Sequence, residues 1–331
     1  MSKPLTLSVG IPTYNQAEYL EETIESLLKQ TRPFDEILVS DHYSTDNTQQ
    51  VLKKYAGRVK CLQPPHGVNL AGQYHFTLAS QSGDWITLCS SDDVARPNFC
   101  EVLLRGAQRC RDAVLVRAGW ENINRVGKVV STEYMLSVAK ITLPPQTLFE
   151  QKYGPKASFA AFAVRREAYA HAGPILETLE SLADWALFLQ MSPLGSFVYE
   201  DELISGYRVG HDGNKFRDRL GMWVRDEQRM FYQVIPQAAG RAGLSDLSWI
   251  DQASYHNFVR YLTAASEEYS LDERAEIVKL FSTWASRVHG ESMLQDFAEG
   301  KIIPKPFNLL RKAKALLRPL AQSLYSYTRR G

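Results

Sequence analysis

Short apolar runs alternate with stretches of helical periodicity through the first two thirds of the chain. Asn15 followed by Glu18 predicts a capping box at the start of the first helix, and Gly127 predicts a hairpin. This alternation is typical of an α/β fold in which helices flank a sheet. The predicted strands are Leu5–Ile11, Glu36–Ser40, Val59–Leu62, Asp84–Cys89, Ala113–Ala118, Phe159–Val164, Phe197–Tyr199 and Leu203–Val209, and helices are predicted over residues 71–80 and 182–191.

The pattern changes near Arg219, after which long helical stretches replace the alternation. We therefore expect an α/β domain over residues 1–216 and an α-helical extension over residues 217–331. The predicted helices of this extension are Met222–Ile235, Ile250–Ser266, Leu271–Val288 and Phe307–Thr328.

The last segment, residues 305–331, is chemically biased. It carries seven Lys and Arg residues and no acid, while apolar residues recur at helical spacing. Pro319 should kink or end this helix. The segment either packs on the preceding helices with its charges in water or docks on an anionic membrane surface.

The overall composition narrows the choice of partners. The 38 Lys and Arg residues nearly balance the 37 Asp and Glu residues, so no global field selects nucleic acid, and we expect none as a partner. The four cysteines show no CxxC pairing, which favours buried free thiols in a reducing compartment. The first residues contain no signal peptide or membrane span. We expect a cytoplasmic protein that could attach to the inner face of a membrane.

Acidic residues follow two of the predicted strands. They are Asp41, next to His42, and the pair Asp92–Asp93. Ligands of open α/β sheets bind beyond the carboxyl ends of the strands, and adjacent carboxylates are accommodated when a divalent cation and a diphosphate balance their charge. The alternative is that these residues only cap helices and turns.

Several motifs, in order and at specific spacings, resemble the family 2 glycosyltransferases. The resemblance covers roughly residues 5–215 and implies the GT-A fold, a Rossmann-like mixed sheet flanked by helices. It includes Leu182–Trp185, which is similar to the segment that supplies the catalytic base. The other motifs are Val9–Asn15, Leu27–Thr31, Glu36–Thr48, Gly83–Asp93 and Tyr207–Val209 followed by His211.

The resemblance implies roles for individual residues. It places Asp92 against the nucleoside and Asp93 on a Mg²⁺ or Mn²⁺ ion, with His211 supporting the metal or the diphosphate. It makes Asp184 the general base, with Trp185 beside it as a sugar contact. The residues that it places around the nucleotide-sugar are Pro12, Thr13, Tyr14, Asn15, Asp41 and His42.

The implied activity is inverting, metal-dependent transfer of a sugar. The donor would be a nucleotide-sugar, UDP- or dTDP-linked, and the acceptor a hydroxyl of a glycan or lipid-linked molecule in bacterial surface polysaccharide or glycoconjugate synthesis. A bound cation would stabilise the leaving diphosphate, while Asp184 would accept the acceptor's proton. Taken alone, Asp184 could also be a helix N-terminal acid favoured by the macrodipole.

Two positions depart from the family pattern. His42 stands where many members have a second acid, and Ser90 stands where an Asp-X-Asp motif would begin. The missing acid leaves open a binding module for glycans or nucleotides that has lost turnover. A nucleotidyltransferase is the other alternative, but the residues after the first strand include no Gly-rich basic loop, and no GxGxxG supports a dehydrogenase.

Overall fold

The computed structural model describes residues 4–134, 139–175, 178–210, 215–301 and 303. The chain divides into two compact units, with the division after Leu247. The first unit is built around one mixed sheet, and the second is helical.

Ten strands of the first unit form a single sheet. Eight of them lie in the order β3-β2-β1-β4-β9-β6-β10-β5, while β7 pairs with β6 and β8 with β10. Strands β3, β2, β1 and β4 run parallel, and β9 is antiparallel to both of its neighbours. The strands are β1 Leu7–Thr13, β2 Glu36–Asp41, β3 Lys60–Leu62, β4 Trp85–Leu88, β5 Val94–Ala95, β6 Ala113–Ile123, β7 Val129–Glu133, β8 Ile141–Thr142, β9 Phe162–Arg165 and β10 Ser196–Arg208.

Helices alternate with the strands along the chain, and further helices follow the last strand. In the first unit, a π-helical turn, Met230–Val234, joins the last two helices. The helices of this unit are α1 Ala17–Leu28, α2 Thr48–Lys54, α3 Leu70–Ala79, α4 Phe99–Arg109, α5 Gln146–Phe149, α6 Arg166–Ala172, α7 Ala183–Met191, α8 Lys215–Arg229 and α9 Ile235–Arg241.

Strand β1 is buried along its whole length. Helix α3 lies directly on this strand, because Gly10 has no side chain to keep the helix away. A Cβ atom at Gly10 would lie 2.5 Å from Thr77 Cγ2 and 2.9 Å from Gln81 Nε2. The N-terminal half of α3 lies over the end of β1, where Gln73 donates to the carbonyl oxygen of Thr13.

Strand β10 is longer than the sequence pattern predicts. It runs continuously for 13 residues, with register shifts against β6 near Glu200 and Leu203. These irregularities interrupt the alternation of buried and exposed side chains, which is why the sequence suggested two strands. The predicted hairpin is confirmed: Gly127 has φ of +80° between the antiparallel strands β6 and β7.

The division into units differs from the expected boundary after residue 216. That boundary falls inside α8, and α8 and α9 belong to the first unit. One contact between α8 and the rest of this unit is made by the buried Asp226, whose Oδ2 accepts hydrogen bonds from Glu180 N at 2.9 Å and from Ser181 N at 2.7 Å. Helix α8 therefore holds the chain that leads into α7.

The second unit contains three α-helices in its described residues: α10 Ser248–Glu268, α11 Arg274–Arg287 and α12 Glu291–Ala298. Aromatic rings join α10 and α11, and the guanidinium of Arg274 lies over the Phe297 ring of α12. The buried Trp284 donates its indole N–H to Ser254 Oγ at 2.9 Å. Among the described helices, none has the length and apolarity that a membrane crossing requires. The basic segment 305–331, with the predicted helix Phe307–Thr328, lies outside the described residues.

The four cysteines are free thiols, as predicted. Cys89 and Cys100 are buried, but Cys61 is exposed, so the expectation of burial is wrong for that residue. Strand β3 carries Cys61 at the edge of the sheet, where only one neighbouring strand covers it.

Candidate active site

A cleft of about 550 Å³ opens where β1, β4 and β10 end. Ligands of open α/β sheets bind at such an edge, beyond the carboxyl ends of the strands. Residues from β1, α3, the turn after β4, the end of β10 and α8 line it. They are Pro12, Thr13, Tyr14, Gln16, Leu70, Gln73, Tyr74, Ser90, Ser91, Asp92, Tyr207, Arg208, Val209, Gly210 and Arg219.

The turn after β4 carries the two acids at the cleft. Helix α1 fixes this turn through the buried Thr23, whose Oγ1 lies 2.7 Å from the carbonyl oxygen of Asp93 and 3.0 Å from that of Ser91. Asp92 lines the cleft, and Asp93 lies behind it with only 1% of its surface exposed.

The carboxylate of Asp93 has one satisfied and one unsatisfied oxygen. Oδ1 accepts the backbone N–H of Arg208 at 2.9 Å, whereas the buried Oδ2 has no hydrogen-bond partner. Burial, together with the charge of Asp92, raises the pKa of Asp93 well above its ordinary value. A cation beside Oδ2 would reverse this penalty, so the arrangement suits a metal ligand.

Arg208 ties the acid turn to the rest of the first unit. Its buried guanidinium donates to Asp92 O at 2.7 Å and to Glu22 Oε2 at 2.7 Å, and it lies over the Tyr19 ring. The same group donates to the carbonyl oxygens of Asn124 and Arg125 in the β6–β7 turn. Because one side chain joins α1, the turn and the hairpin, the end of β10 is held in place.

At the other side of the cleft, the ends of β1 and β2 are held in register. Thr13 pairs with Asp41, and the buried Gln73 of α3 donates its amide to the carbonyl oxygens of Thr13 and Ser40, each at 3.1 Å. Asp41 is itself buried and accepts the Ser44 hydroxyl at 2.6 Å. This carboxylate therefore shapes the loop after β2.

Tyr14 and His42 form an aromatic wall beside this loop. Their ring centroids lie 5.9 Å apart, and Tyr14 is 54% exposed. The predicted capping box at Asn15 is wrong, because Asn15 has φ of +51° and its Oδ1 accepts Thr45 N at 2.8 Å. Asn15 thus joins the loops after β1 and β2, and α1 starts at Ala17.

Asp184 occupies a half-buried position in the first turn of α7. Burial raises its pKa to about 6, although the Trp185 N–H that it accepts at 2.7 Å lowers it. Burial and the charges of Asp92, Asp184 and Asp93 also raise the pKa of Tyr74. All three carboxylates thus act electrostatically on a tyrosine that lines the cleft.

Trp185 does not contact the cleft, which corrects the sequence-based assignment. The residue is fully buried, its indole N–H donates to Gln151 O at 3.0 Å, and its ring packs edge-on against Phe231. On α7, successive residues point in different directions, so a ring next to the half-buried Asp184 enters the core.

The remaining predicted residues are placed as follows. Pro12, Thr13, Tyr14 and Asp92 line the cleft, Asp41 is the last residue of β2, and Asn15 and His42 lie in the adjoining loops. His211 lies outside the described residues. In the part of the chain that the structure describes, no cluster of three His, Cys, Asp or Glu side chains could by itself hold a metal ion.

Sequence reasoning gave no role to Gln73, Tyr74 and Arg219, which line the cleft, and it included Arg208 only as part of the Tyr207–Val209 motif. Gln73 is a polar residue on an otherwise apolar helix face, which was the available signal for it. Arg219 gave no comparable signal, because a basic residue on a polar helix face is ordinarily solvated.

Comparison with known proteins identifies the family. Residues 8–173 match the model of glycosyl transferase family 2. The chain belongs to this family. This confirms the resemblance on which the expected fold and site were based, and the match covers β1, the loops after β1 and β2, and the acid turn.

Bacterial polysaccharide synthases are among the relatives. This chain is 25% identical over 279 residues to hyaluronan synthase of Pasteurella multocida, and the alignment covers 82% of this chain and 27% of the synthase. It is 35% identical over 97 residues to the β-1,3-glucosyltransferase WfgD of Escherichia coli, covering 29% of this chain and 38% of WfgD. The chain therefore spans only part of these relatives.

A solved structure shares the fold. Residues 1–349 of TarS from S. aureus, in complex with UDP, superpose with a TM-score of 0.63 at 18% identity, covering 91% of this chain and 89% of that one. This similarity confirms the predicted GT-A type of mixed sheet with flanking helices.

We predict that Arg208→Lys lowers the free energy of unfolding by roughly 2–4 kcal/mol, because an ammonium group cannot replace the forked contacts of a buried guanidinium. Urea denaturation measures this change. The matched control is Arg125→Lys, whose exposed side chain contacts Tyr19 and Glu18 and should change stability by less than about 0.5 kcal/mol. Equal effects of the two substitutions would contradict the structural role of Arg208.

Proposed function

We propose that this family 2 glycosyltransferase moves a sugar from a UDP- or dTDP-linked donor to a hydroxyl of a glycan or lipid-linked acceptor. The observation that carries the proposal is the acid turn, where Asp92 lines the cleft and the buried Oδ2 of Asp93 has no hydrogen-bond partner. Two adjacent acids suit a metal-bound diphosphate, and a separate carboxylate with a raised pKa suits a general base.

The named relatives support this donor and acceptor chemistry. TarS has been crystallised with UDP and with UDP-GlcNAc. WfgD is named for transfer from UDP-glucose to a diphosphoundecaprenol-linked GlcNAc, and two of the synthases make hyaluronan and chondroitin. We propose that this chain likewise serves bacterial surface polysaccharide or glycoconjugate synthesis.

The proposed step is a single displacement at the anomeric carbon. The acceptor oxygen forms the new bond to that carbon as the bond to the donor phosphate breaks, and its electron pair leaves with the nucleoside diphosphate. The acceptor's proton passes to the Asp184 carboxylate. Attack from the face opposite the leaving group inverts the configuration. Within the cleft, Pro12–Tyr14 would contact the nucleoside together with Asp92, and Arg219 would add positive charge near the leaving group.

The residues present fit a divalent cation, Mg²⁺ or Mn²⁺. The unpartnered buried Oδ2 of Asp93 is a carboxylate oxygen of the type that these ions bind, and the donor diphosphate would supply further oxygens. Asp93 would hold the ion, with His211 as the second protein ligand that the family resemblance implies. When bound, the ion would stabilise the charge that develops on the diphosphate.

The second candidate function is a nucleotide- or glycan-binding module without turnover. It is favoured by Ser90, which stands where a further acid would begin the metal motif. Donor hydrolysis separates the two functions. We expect slow, Mn²⁺-dependent release of UDP or dTDP from at least one of UDP-glucose, UDP-GlcNAc and dTDP-glucose, whereas a binding module would bind without releasing product.

For Asp184, we predict that kcat falls on the acid side with an apparent pKa near 6. The base acts only when deprotonated, so kcat at pH 5 should be about tenfold below its plateau. Asp184→Asn should lower kcat by about 10²-fold or more, since the amide accepts no proton, and should leave donor affinity nearly unchanged. Asp201→Asn, at an exposed site on β10, is the matched control. Near wild-type turnover in Asp184→Asn would refute the assignment.

For Asp93, we predict that Asp93→Asn abolishes the gain in UDP affinity that Mn²⁺ provides. The amide oxygen can still accept the Arg208 N–H, but a neutral ligand binds the cation far more weakly. Titration calorimetry should show a loss of roughly tenfold or more with Mn²⁺ and little change in EDTA. If Mn²⁺ still strengthens UDP binding to the variant as it does for the wild type, Asp93 does not hold the ion.

For residues 305–331, we propose cytoplasmic docking on an anionic membrane surface. Each basic residue near such a surface contributes about 1 kcal/mol at low ionic strength. Deleting the segment should therefore abolish sedimentation with phosphatidylglycerol vesicles and spare donor hydrolysis. Phosphatidylcholine vesicles, which should retain little of either protein, are the control. Docking is excluded if the full-length protein ignores anionic vesicles at low salt.

A further inference from the structure

Tyr207 presents an aromatic ring to the cleft at the end of β10. The residue is 41% exposed, while its neighbours Gly206 and Arg208 are buried. Arg208 holds the backbone in place through its buried guanidinium. Gly206 packs closely against the Ile123 side chain, which a Cβ atom at this position would approach to 3.1 Å. The exposed ring therefore stands on a rigid support.

Charged groups of the cleft surround Tyr207. Burial first, and then the charges of Asp93, Asp92 and Asp184, raise its pKa, while Arg219 lowers it. Tyr207 also acts electrostatically on Tyr74, which lines the same cleft. The N–H of the next residue, Arg208, donates to Asp93 Oδ1 at 2.9 Å, and Asp92 lines the same cleft, so the ring lies on the cleft wall next to the acids assigned to the diphosphate. The group that must occupy this space during transfer is the sugar itself.

The other aromatic residues of the cleft are placed differently. Tyr14 lies at the nucleotide end beside His42, and Tyr74 is half-buried with its ring edge-to-face against Phe159 at 5.1 Å. Among the described lining residues, Tyr207 combines an exposed aromatic surface with a position beside the acid turn.

We propose that the ring of Tyr207 is the surface against which the transferred sugar of the donor rests. A pyranose has an apolar face of C–H groups, and an aromatic ring offers it a matching surface with little conformational freedom to lose. This inference rests on the proposed function, because it assigns a place to the sugar of a nucleotide-sugar donor.

The test separates sugar binding from nucleotide binding. Calorimetry with Mn²⁺ gives the dissociation constants of UDP, UDP-glucose, UDP-GlcNAc, dTDP and dTDP-glucose for the wild type and three variants. Tyr207→Ala should reduce the affinity advantage of the preferred sugar nucleotide over its nucleotide by about tenfold and leave the nucleotide alone unchanged. Tyr207→Phe should keep most of the advantage. Tyr14→Ala is the matched control and should weaken nucleotide and sugar nucleotide alike.

The outcomes are distinguishable. If Tyr207→Ala weakens nucleotide and sugar nucleotide equally, or changes neither, the sugar-binding role of Tyr207 is overturned while the proposed function stands. If the wild type binds no nucleotide-sugar of this set and hydrolyses none, the proposed function is overturned, and the role of Tyr207 with it.

Discussion

The buried positive charge of Arg208 is the constraint on which the site depends. A guanidinium out of water needs partners for its N–H groups, and here they come from the acid turn, the β6–β7 turn and Glu22 of α1. Satisfying them fixes three segments that are distant in sequence. The same residue's backbone N–H then orients Asp93, so the position of the acid follows from the partners of the guanidinium.

Like charges create the second constraint. Asp92, Asp93 and Asp184 act on the same tyrosines, and burial leaves little water to separate their charges. Arg208 offsets part of this repulsion at Asp93, yet the pKa of Asp93 remains raised. Such a site favours a ligand that places a cation beside the acids, as a metal-bound diphosphate does. The acids cost stability until a ligand is bound, and this is typical of groups retained for function.

Much of the fold was predictable because its signals are local. Asp92 and Asp93 follow an apolar run, and the end of that run must lie at the carboxyl edge of a parallel sheet. Gln73 and Arg208 were not predictable as site residues, because their roles arise from contacts across 33 or more positions. The assignment of Trp185 as a sugar contact was wrong because it relied on a neighbour in sequence. Adjacency to Asp184 does not put two side chains on the same face of a helix.

The boundary expected after residue 216 falls inside α8, whose buried Asp226 accepts hydrogen bonds from Glu180 N and Ser181 N. This has a consequence for the chemistry. The family match ends at residue 173, yet Asp184 and Arg219 lie beyond it. Helix α8 carries Arg219 and, through Asp226, holds the chain that leads into the helix of Asp184. The matched part thus contains Asp92 and Asp93, which are proposed to bind the nucleotide and the metal, while α7 carries the proposed base and α8 contacts the chain that leads into α7. Changes in α8 can therefore alter catalysis without touching the family's motifs.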